Sequence, residues 1–498
     1  MRQLQKTNKI GIWGFGLVGK SVAHYFNTIN DQINNNTYTL QVFDQRTLTK
    51  QEREYCDQYA ISIASTIEDF LENNDTIIPS PGIDLNGYYE QYSHKWLPEL
   101  DLFHSYWNKN WNKKSIAITG SVGKTSVTTL LSRILEQADK KIVTGGNIGI
   151  PCLNFIAEQI KQQQVIEQQQ TGQKQKVIDY AILEISSYQL EYAQKYAPDV
   201  GIMTNCSPNH LDRHKTEENY LKAKLNLFVR QTDKQFAILP LFYRDYIRTF
   251  FCLRSICVWF SDSKPSDQVL ALLSESEKLF YIHDGFIWLY DNIFHEASGH
   301  DKFHKKLLSL SECPSITFDQ NWLIIIATCH ILNQDMNTIT SYMHNLSVPA
   351  HRLEKCGLVN GIAIYNDSKS TTMLSTIAAV NQLKDKPILL ILGGLSKGVD
   401  RKSLIDFCKD RVKKIYCFGA ESKELVGFCH DLSLCVSVPV STDIQALEDI
   451  VSLALAEAEL GDQLLFSPAG SSFDLFKDYQ ERGDAFKKII GKLQVQDL

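Results

Sequence analysis

The run Ile116 to Ser126, IAITGSVGKTS, constrains this chain most, because it binds a strand, a glycine turn and a helix to one chemical task. An apolar strand leads into Gly120-Ser121-Val122-Gly123-Lys124-Thr125-Ser126, and the helix-like VTTLLSRILEQ follows. Glycines let backbone N–H groups close on phosphate oxygens, while a lysine bridges the outer phosphates and a threonine hydroxyl holds Mg²⁺. The usual phosphate-loop spacing places a further glycine at Ile118, so this is a shortened variant. The bland alternative is a strand–turn–helix with a surface lysine. The flanking strand and helix favour nucleotide phosphate.

A length of 498 residues predicts about three domains, and 44% hydrophobic residues suffice for their cores. The net charge of −6 argues against a nucleic-acid or acidic-membrane partner. Twelve cysteines without a C-x₂-C pair indicate neither a zinc site nor a disulfide framework, and Cys252 and Cys257 are expected to be buried thiols. The N-terminus is a polar lead into a strand rather than a signal peptide, and no apolar run reaches membrane-spanning length. A soluble cytoplasmic protein is the expectation.

Strand-like runs alternate with amphipathic stretches, which predicts an α/β fold. The composition divides the chain into residues 1–111, 112–346 and 347–498, with a Gln-rich insertion at 161–176 too polar to build a core. Near the N-terminus, Gly14-Phe15-Gly16-Leu17-Val18-Gly19 follows a strand and opens a helix, and Asp44 closes the second strand. That layout suits a dinucleotide such as NAD(P), but any nucleotide diphosphate satisfies the same electrostatics. Arg46 offers a phosphate or base contact, and Ser80-Pro81-Gly82 is either a ligand turn or a simple loop.

In the middle unit, Glu184 at a strand's carboxyl end is placed to hold Mg²⁺ on a nucleotide phosphate. His210 is a candidate nitrogen ligand. Lys222 and Lys224 lie on one short helix, and spacing does not mark Lys224 out from a solvated lysine.

Four strings in the last third fit together: His351-Arg352-Leu353-Glu354, Asn366-Asp367-Ser368-Lys369, Leu392 to Gly398, and Ser467 to Asp474. With TGSVGKTS, GGNIG (Gly145 to Gly149), LEISSYQLE (Leu183 to Glu191) and SPNHLDRH (Ser207 to His214) upstream, the chain resembles a Mur ligase. SPAGSSFD followed by DYQERG narrows the resemblance to the members that add D-glutamate, and the motifs run from about residue 10 to 487. The resemblance implies an N-terminal Rossmann-like domain, a central P-loop-type ATPase domain and a C-terminal Rossmann-like domain.

It further implies that Gly14, Phe15, Gly16, Leu17, Val18, Asp44, Arg46, Ser80, Pro81 and Gly82 hold the uridine diphosphate end of UDP-N-acetylmuramoyl-L-alanine. Asn147 and Ser186 would lie near the muramoyl-alanine part. ATP would meet residues 120–126 with Arg352, Asn366, Asp367 and Lys369; D-glutamate would meet Thr371, Lys397, Ser472, Phe473 and Tyr479. Thr125, Glu184, His210 and Lys224, the last as a carbamate, would hold two Mg²⁺ ions, with Lys124, Glu184, His210, Lys224 and Lys397 catalytic. The implied protein is a monomeric cytoplasmic ligase of peptidoglycan precursor synthesis, and hence of cell shape and division, that engages neither nucleic acid nor membrane.

Val122, Asn209, Gln320-Asn321 and Leu395 depart from the family pattern, but none removes a candidate catalytic residue. The rivals are a folylpolyglutamate synthase or another Mur ligase, an NAD(P)-dependent oxidoreductase, and a non-catalytic nucleotide-binding protein.

Overall fold

The computed structural model describes residues 8–496 apart from 33–36, 112, 148, 170–177, 292–303, 315–316, 345, 347–349, 397–398, 430–433 and 438–444. Three sheets follow one another along the chain, as the alternating pattern requires. The first comprises β1 (Asn8–Trp13), β2 (Tyr38–Phe43), β3 (Ser62–Ile63) and β4 (Thr76–Pro79), in the order β3-β2-β1-β4 with every pair parallel.

The second sheet has nine strands: β5 (Lys114–Thr119), β6 (Ile142–Gly146), β7 (Tyr180–Glu184), β8 (Val200–Met203), β9 (Phe236–Pro240), β10 (Ile256–Ser261), β11 (Lys278–His283), β12 (Phe286–Asp291) and β13 (His304–Ser309). Its order is β13-β12-β11-β10-β9-β8-β5-β7-β6, parallel from β6 to β11 and antiparallel beyond. The third contains β14 (Glu354–Val359), β15 (Ile362–Asn366), β16 (Ile388–Leu392), β17 (Lys414–Cys417), β18 (Cys435–Ser437) and β19 (Gln463–Phe466). Its order is β14-β15-β19-β16-β17-β18, with only β14 running against its neighbour.

Strands such as Ile388–Leu392 are apolar throughout and buried at every residue, as expected for parallel strands covered on both faces. The helix Asp319–Ile331 is buried on nearly its whole circumference because Trp322 to Ala327 is an unbroken apolar run, and it packs against the helix Lys124–Gln137 that follows the glycine turn. The helix Cys152–Gln169 takes up the first part of the Gln-rich insertion; the rest lies outside the described residues.

Two cysteine expectations are corrected. Cys429 and Cys435 form a disulfide beside β18, because the helix Ser422–Gly427 and β18 bring their Cα atoms to 6.4 Å, a proximity that spacing does not reveal. Cys252 is exposed, since it lies in the irregular segment before β10, while Cys257 within β10 is partly buried.

The first sheet is joined to the second by the helix Glu99–Asn110. Its Asp101 carboxylate is buried and accepts the backbone N–H groups of Gln194, Lys195 and Tyr196 at 2.8, 2.9 and 2.9 Å. Removing such an acceptor orphans buried donors. Asp101→Ala is expected to lower stability by about 3 kcal/mol, read as a shift of the urea unfolding midpoint followed by tryptophan fluorescence. An unshifted midpoint would show that the joint does not depend on this carboxylate.

Candidate active site

The glycine turns, Asp44, Ser80, Glu184, Asp367 and Ser467 lie at or just beyond the carboxyl ends of parallel strands, where open α/β sheets bind ligands. In the first sheet, β1 runs into Gly14, β2 into Asp44 and β4 into Ser80. Gly14 has φ +88°, and the Ser80 hydroxyl donates to its carbonyl at 3.0 Å, so the two turns are stitched together. A Cβ on Gly19 would lie 2.1 Å from the Gly14 carbonyl oxygen, which explains a glycine there.

The Asp44 carboxylate accepts the Phe15 N–H at 2.7 Å and the Arg46 N–H at 3.0 Å. Arg46 makes a two-pronged ion pair with Glu52 at 2.8 Å on each prong, and Lys20 reaches the same carboxylate at 2.9 Å. Arg46, aided by Lys20, holds Glu52 well below the usual carboxylate range. Residues 44–48 with Arg53 and Ile63 border a cavity of about 340 Å³. Glu52 and Arg53 lie in the first turn of the helix Lys50–Gln58, where Glu52 closes a capping box with Thr49; Thr49-x-x-Glu52 is the one sequence signal here, and it marks a helix start rather than a site. Phe15 is fully buried, whereas Leu17 is exposed.

At the second sheet, β5 ends in the glycine turn, with φ +145° at Gly120 and +86° at Gly123. A Cβ at Gly120 would lie 1.9 Å from the Thr204 hydroxyl, and one at Gly123 would lie 2.6 Å from the Asn321 amide oxygen. Both positions therefore demand glycine for conformation and space. The turn is held from behind. Ser121 donates to the Ser207 carbonyl at 2.9 Å, Val122 N–H donates to Asn205 at 2.9 Å, and Thr204 donates to the Val122 carbonyl at 2.6 Å. Val122 thus works through its backbone, which removes the weight of its departure in side chain. Ser126 is buried one turn further along the helix.

The Lys124 ammonium donates to the carbonyls of Gly120 at 2.7 Å and Ser121 at 3.2 Å. Lys224, only 1% exposed, donates to the same Gly120 carbonyl at 2.9 Å and lies 4.2 Å from the centre of the Tyr220 ring. Burial pushes the Lys224 amine down to about 8, and burial likewise lowers Lys124, with Lys224 and Arg352 contributing repulsion. Lys222, two residues earlier, is exposed and paired with Glu218 at 2.8 Å.

Glu184, 2% exposed, accepts the Thr125 hydroxyl at 2.7 Å and the Asn147 amide at 3.1 Å. Burial pushes its carboxyl up, but Lys124, Lys369, Thr125 and Asn147 together outweigh this and hold it below the usual range. The Thr125 hydroxyl and Glu184 carboxylate are adjacent hard oxygen donors, which fits a divalent cation completed by phosphate oxygens and water. His210 sits in the left-handed region at φ +55°, with Nδ1 3.1 Å from the Tyr188 hydroxyl. Among the described residues, no group of three or more His, Cys, Asp or Glu is arranged around an ion. Ser186 caps the helix Ser187–Glu191 through a reciprocal pair with Gln189.

The third sheet gathers β15, β19 and β16 so that Asp367, Ser467 and Gly393 emerge together. Asp367 accepts the Ser467 hydroxyl at 2.7 Å, the Ser370 hydroxyl and the Leu353 N–H, and burial raises its carboxyl to about 6. Lys369 lies 3.7 Å from the centre of the Tyr479 ring and faces Glu184 electrostatically, as does Arg352. Asn366 is fully buried, bonded to the Gly483 carbonyl, His351 and the Ser368 N–H.

Thr371 borders a cavity of about 100 Å³ between the second and third sheets, facing Ser207 and Asn209. Ser472 is buried, Phe473 is 70% exposed, and Lys397 lies outside the described residues.

The sequence from 118 to 264 matches the model of the Mur ligase middle domain. A UDP-N-acetylmuramoylalanine--D-glutamate ligase from Thermoanaerobacter sp. (strain X514) is 30% identical over 432 residues, 86% of each chain. The chain belongs to the Mur ligase family. A relative of the same description from Acidobacterium capsulatum is 31% identical, covering 76% of this chain and 74% of its own. The fold is likewise that of a Mur ligase: the MurF ligase of Thermotoga maritima, solved with ADP, aligns with 99% of this chain and 97% of its own at a TM-score of 0.53 and 14% identity.

In this Mur ligase the unfolded chain holds the Lys224 proton up to its ordinary pKa, while the folded chain releases it near pH 8. Between these values the unfolded state binds more protons, so stability rises with pH. The gain from pH 8 to 10.5 is expected to be about 3 kcal/mol, and Lys224→Met should remove it. Paired urea titrations of both proteins in carbonate-free buffer measure the difference. Parallel pH profiles would refute the depressed amine.

Proposed function

We propose that this chain is the ATP-dependent ligase that joins D-glutamate to UDP-N-acetylmuramoyl-L-alanine, a cytoplasmic step of peptidoglycan precursor synthesis. The observation that carries the reading is the convergence of Lys124 and Lys224 on one buried carbonyl in a chain 30% identical to such ligases across 86% of both lengths. We take residues 1–111 as the UDP-binding unit, 112–346 as the ATP-binding unit and 347–498 as the amino-acid-binding unit.

A carboxylate is a poor electrophile. In the proposed reaction the alanine carboxylate accepts the γ-phosphoryl group of ATP, the amine of D-glutamate attacks the resulting acyl phosphate, and inorganic phosphate departs. Every encounter brings anions together, so preplaced cations lower each barrier. Lys124 neutralises the transferring phosphate from its seat in the glycine turn. Arg352 and Lys369 approach the same charge from the third unit and give it a second wall. Asn147 orients Glu184 and shares its position with the muramoyl-alanine end of the substrate.

Mg²⁺ fits the oxygens of Thr125 and Glu184, with His210 and a carbamylated Lys224 as further proposed ligands; when bound it supplies charge neutralisation at the phosphates. The low amine pKa of Lys224 favours carbamylation, because only a neutral amine attacks CO₂. The first unit, with Gly14 to Val18, Asp44, Arg46 and Ser80 to Gly82, is assigned to the nucleotide diphosphate. Thr371, Lys397, Ser472, Phe473 and Tyr479 are assigned to D-glutamate.

Phosphate release is expected to require ATP, UDP-N-acetylmuramoyl-L-alanine and D-glutamate together, and a coupled phosphate assay omitting each in turn tests this. Turnover without D-glutamate, or with a different amino acid only, would overturn the assignment. Lys224→Ala is expected to lose at least about a hundredfold in kcat and to regain part of it with bicarbonate or a short carboxylic acid, because a small anion can occupy the carbamate's place. Wild-type rates in Lys224→Ala would remove the carbamate from the mechanism.

A further inference from the structure

The cavity between the second and third sheets has a wall whose construction the reaction chemistry leaves unexplained. Arg401 borders that cavity yet is only 3% exposed. Its guanidinium donates to the carbonyl of Gly393 at 3.0 Å, the carbonyl of Gly394 at 3.2 Å and the Glu421 carboxylate at 2.6 Å. Glu421 in turn accepts the Ser396 N–H at 3.1 Å on each oxygen and the Ser396 hydroxyl at 3.3 Å. One ion pair therefore grips both ends of the turn that leaves β16.

The opposite side of the turn is sewn to the segment after β19. Gly393 N–H donates to the Pro468 carbonyl at 3.0 Å, and Leu395 and Ser471 exchange two backbone hydrogen bonds of 2.9 Å. Gly394 adopts φ +70°, and a Cβ there would lie 2.2 Å from the Ser471 carbonyl oxygen. The turn is close-fitted on one side and held by charge on the other. Loss of either charge would strand a partner with little water to replace it. Among the described residues, the hydrogen bonds of Arg401 and Glu421 stay within the third unit and do not extend to the Gly120–Lys124 turn.

Resting on the assignment of this cavity to the amino acid, we propose that the Arg401–Glu421 pair is a positioning device for the D-glutamate acceptor. By fixing Ser396 and the cavity wall, it governs capture of D-glutamate and leaves ATP and UDP-substrate binding unchanged. Neither residue needs to touch the ligand, because their charges are already directed at each other and at the turn.

The test is steady-state phosphate release by the full-length enzyme with each substrate varied in turn. Arg401→Met and Glu421→Gln are expected to raise KM for D-glutamate about tenfold, with KM for ATP and the UDP substrate within about twofold and kcat within about threefold. Arg401→Lys keeps the cation without the planar fork and should fall between wild type and Arg401→Met. Thermal midpoints identify folded variants; if Arg401→Met does not fold, Glu421→Gln and Arg401→Lys decide.

An unchanged KM for D-glutamate in folded Glu421→Gln, or equal rises for all three substrates, would overturn the proposal. If the wild-type enzyme turns over only with another amino acid, the functional assignment fails instead, and the pair is judged by the KM of that acceptor.

Discussion

Two ammonium groups, one buried and one partly buried, aimed at one carbonyl oxygen form the constraint on which the site depends. Lys124 and Lys224 both donate to Gly120, and Lys224 does so from a position almost closed to water. Desolvation makes both cations unfavourable and lowers the pKa of each amine, and Lys224 adds repulsion at Lys124. Glu184 offsets part of the cost from the neighbouring strand end. In the proposed reaction, cations already in place favour the anions that must enter.

The backbone makes this arrangement possible. Gly120 and Gly123 both take positive φ and both lie against side chains that a Cβ would strike. Behind them, Thr204, Asn205 and Ser207 from the end of β8 hold the turn by hydrogen bonds to Ser121 and Val122. The cations therefore project from a rigid frame, so little reorganisation is needed when charge arrives. The first and third sheets repeat this logic: Ser80 is bonded to Gly14, and Asp367 and Ser467 to one another across adjacent strand ends.

Much of this was legible in the chain. A glycine turn between strand and helix has few alternatives, and Glu184 at the end of an apolar strand had to emerge at the same edge. Lys224 was not distinguishable from Lys222 by spacing, and the structure separates them completely: one is buried against Tyr220, the other exposed beside Glu218. The Asn366 side chain is engaged by His351 and Gly483, contacts that its place in the sequence does not reveal. Arg401 and Glu421 left no trace in the sequence pattern, because an ion pair between separate elements depends on which elements meet. The Cys429–Cys435 disulfide was missed for the same reason.

By itself the sequence determined the α/β alternation, the strand-end positions of the polar motifs and the glycines at the turns, since these follow from local periodicity and backbone sterics. Only the tertiary structure decided which lysine loses its water, which carboxylates are paired, and which residues share a cavity. Desolvation and Coulomb energy depend on distances between segments far apart in the chain, and those distances exist only once the sheets are packed.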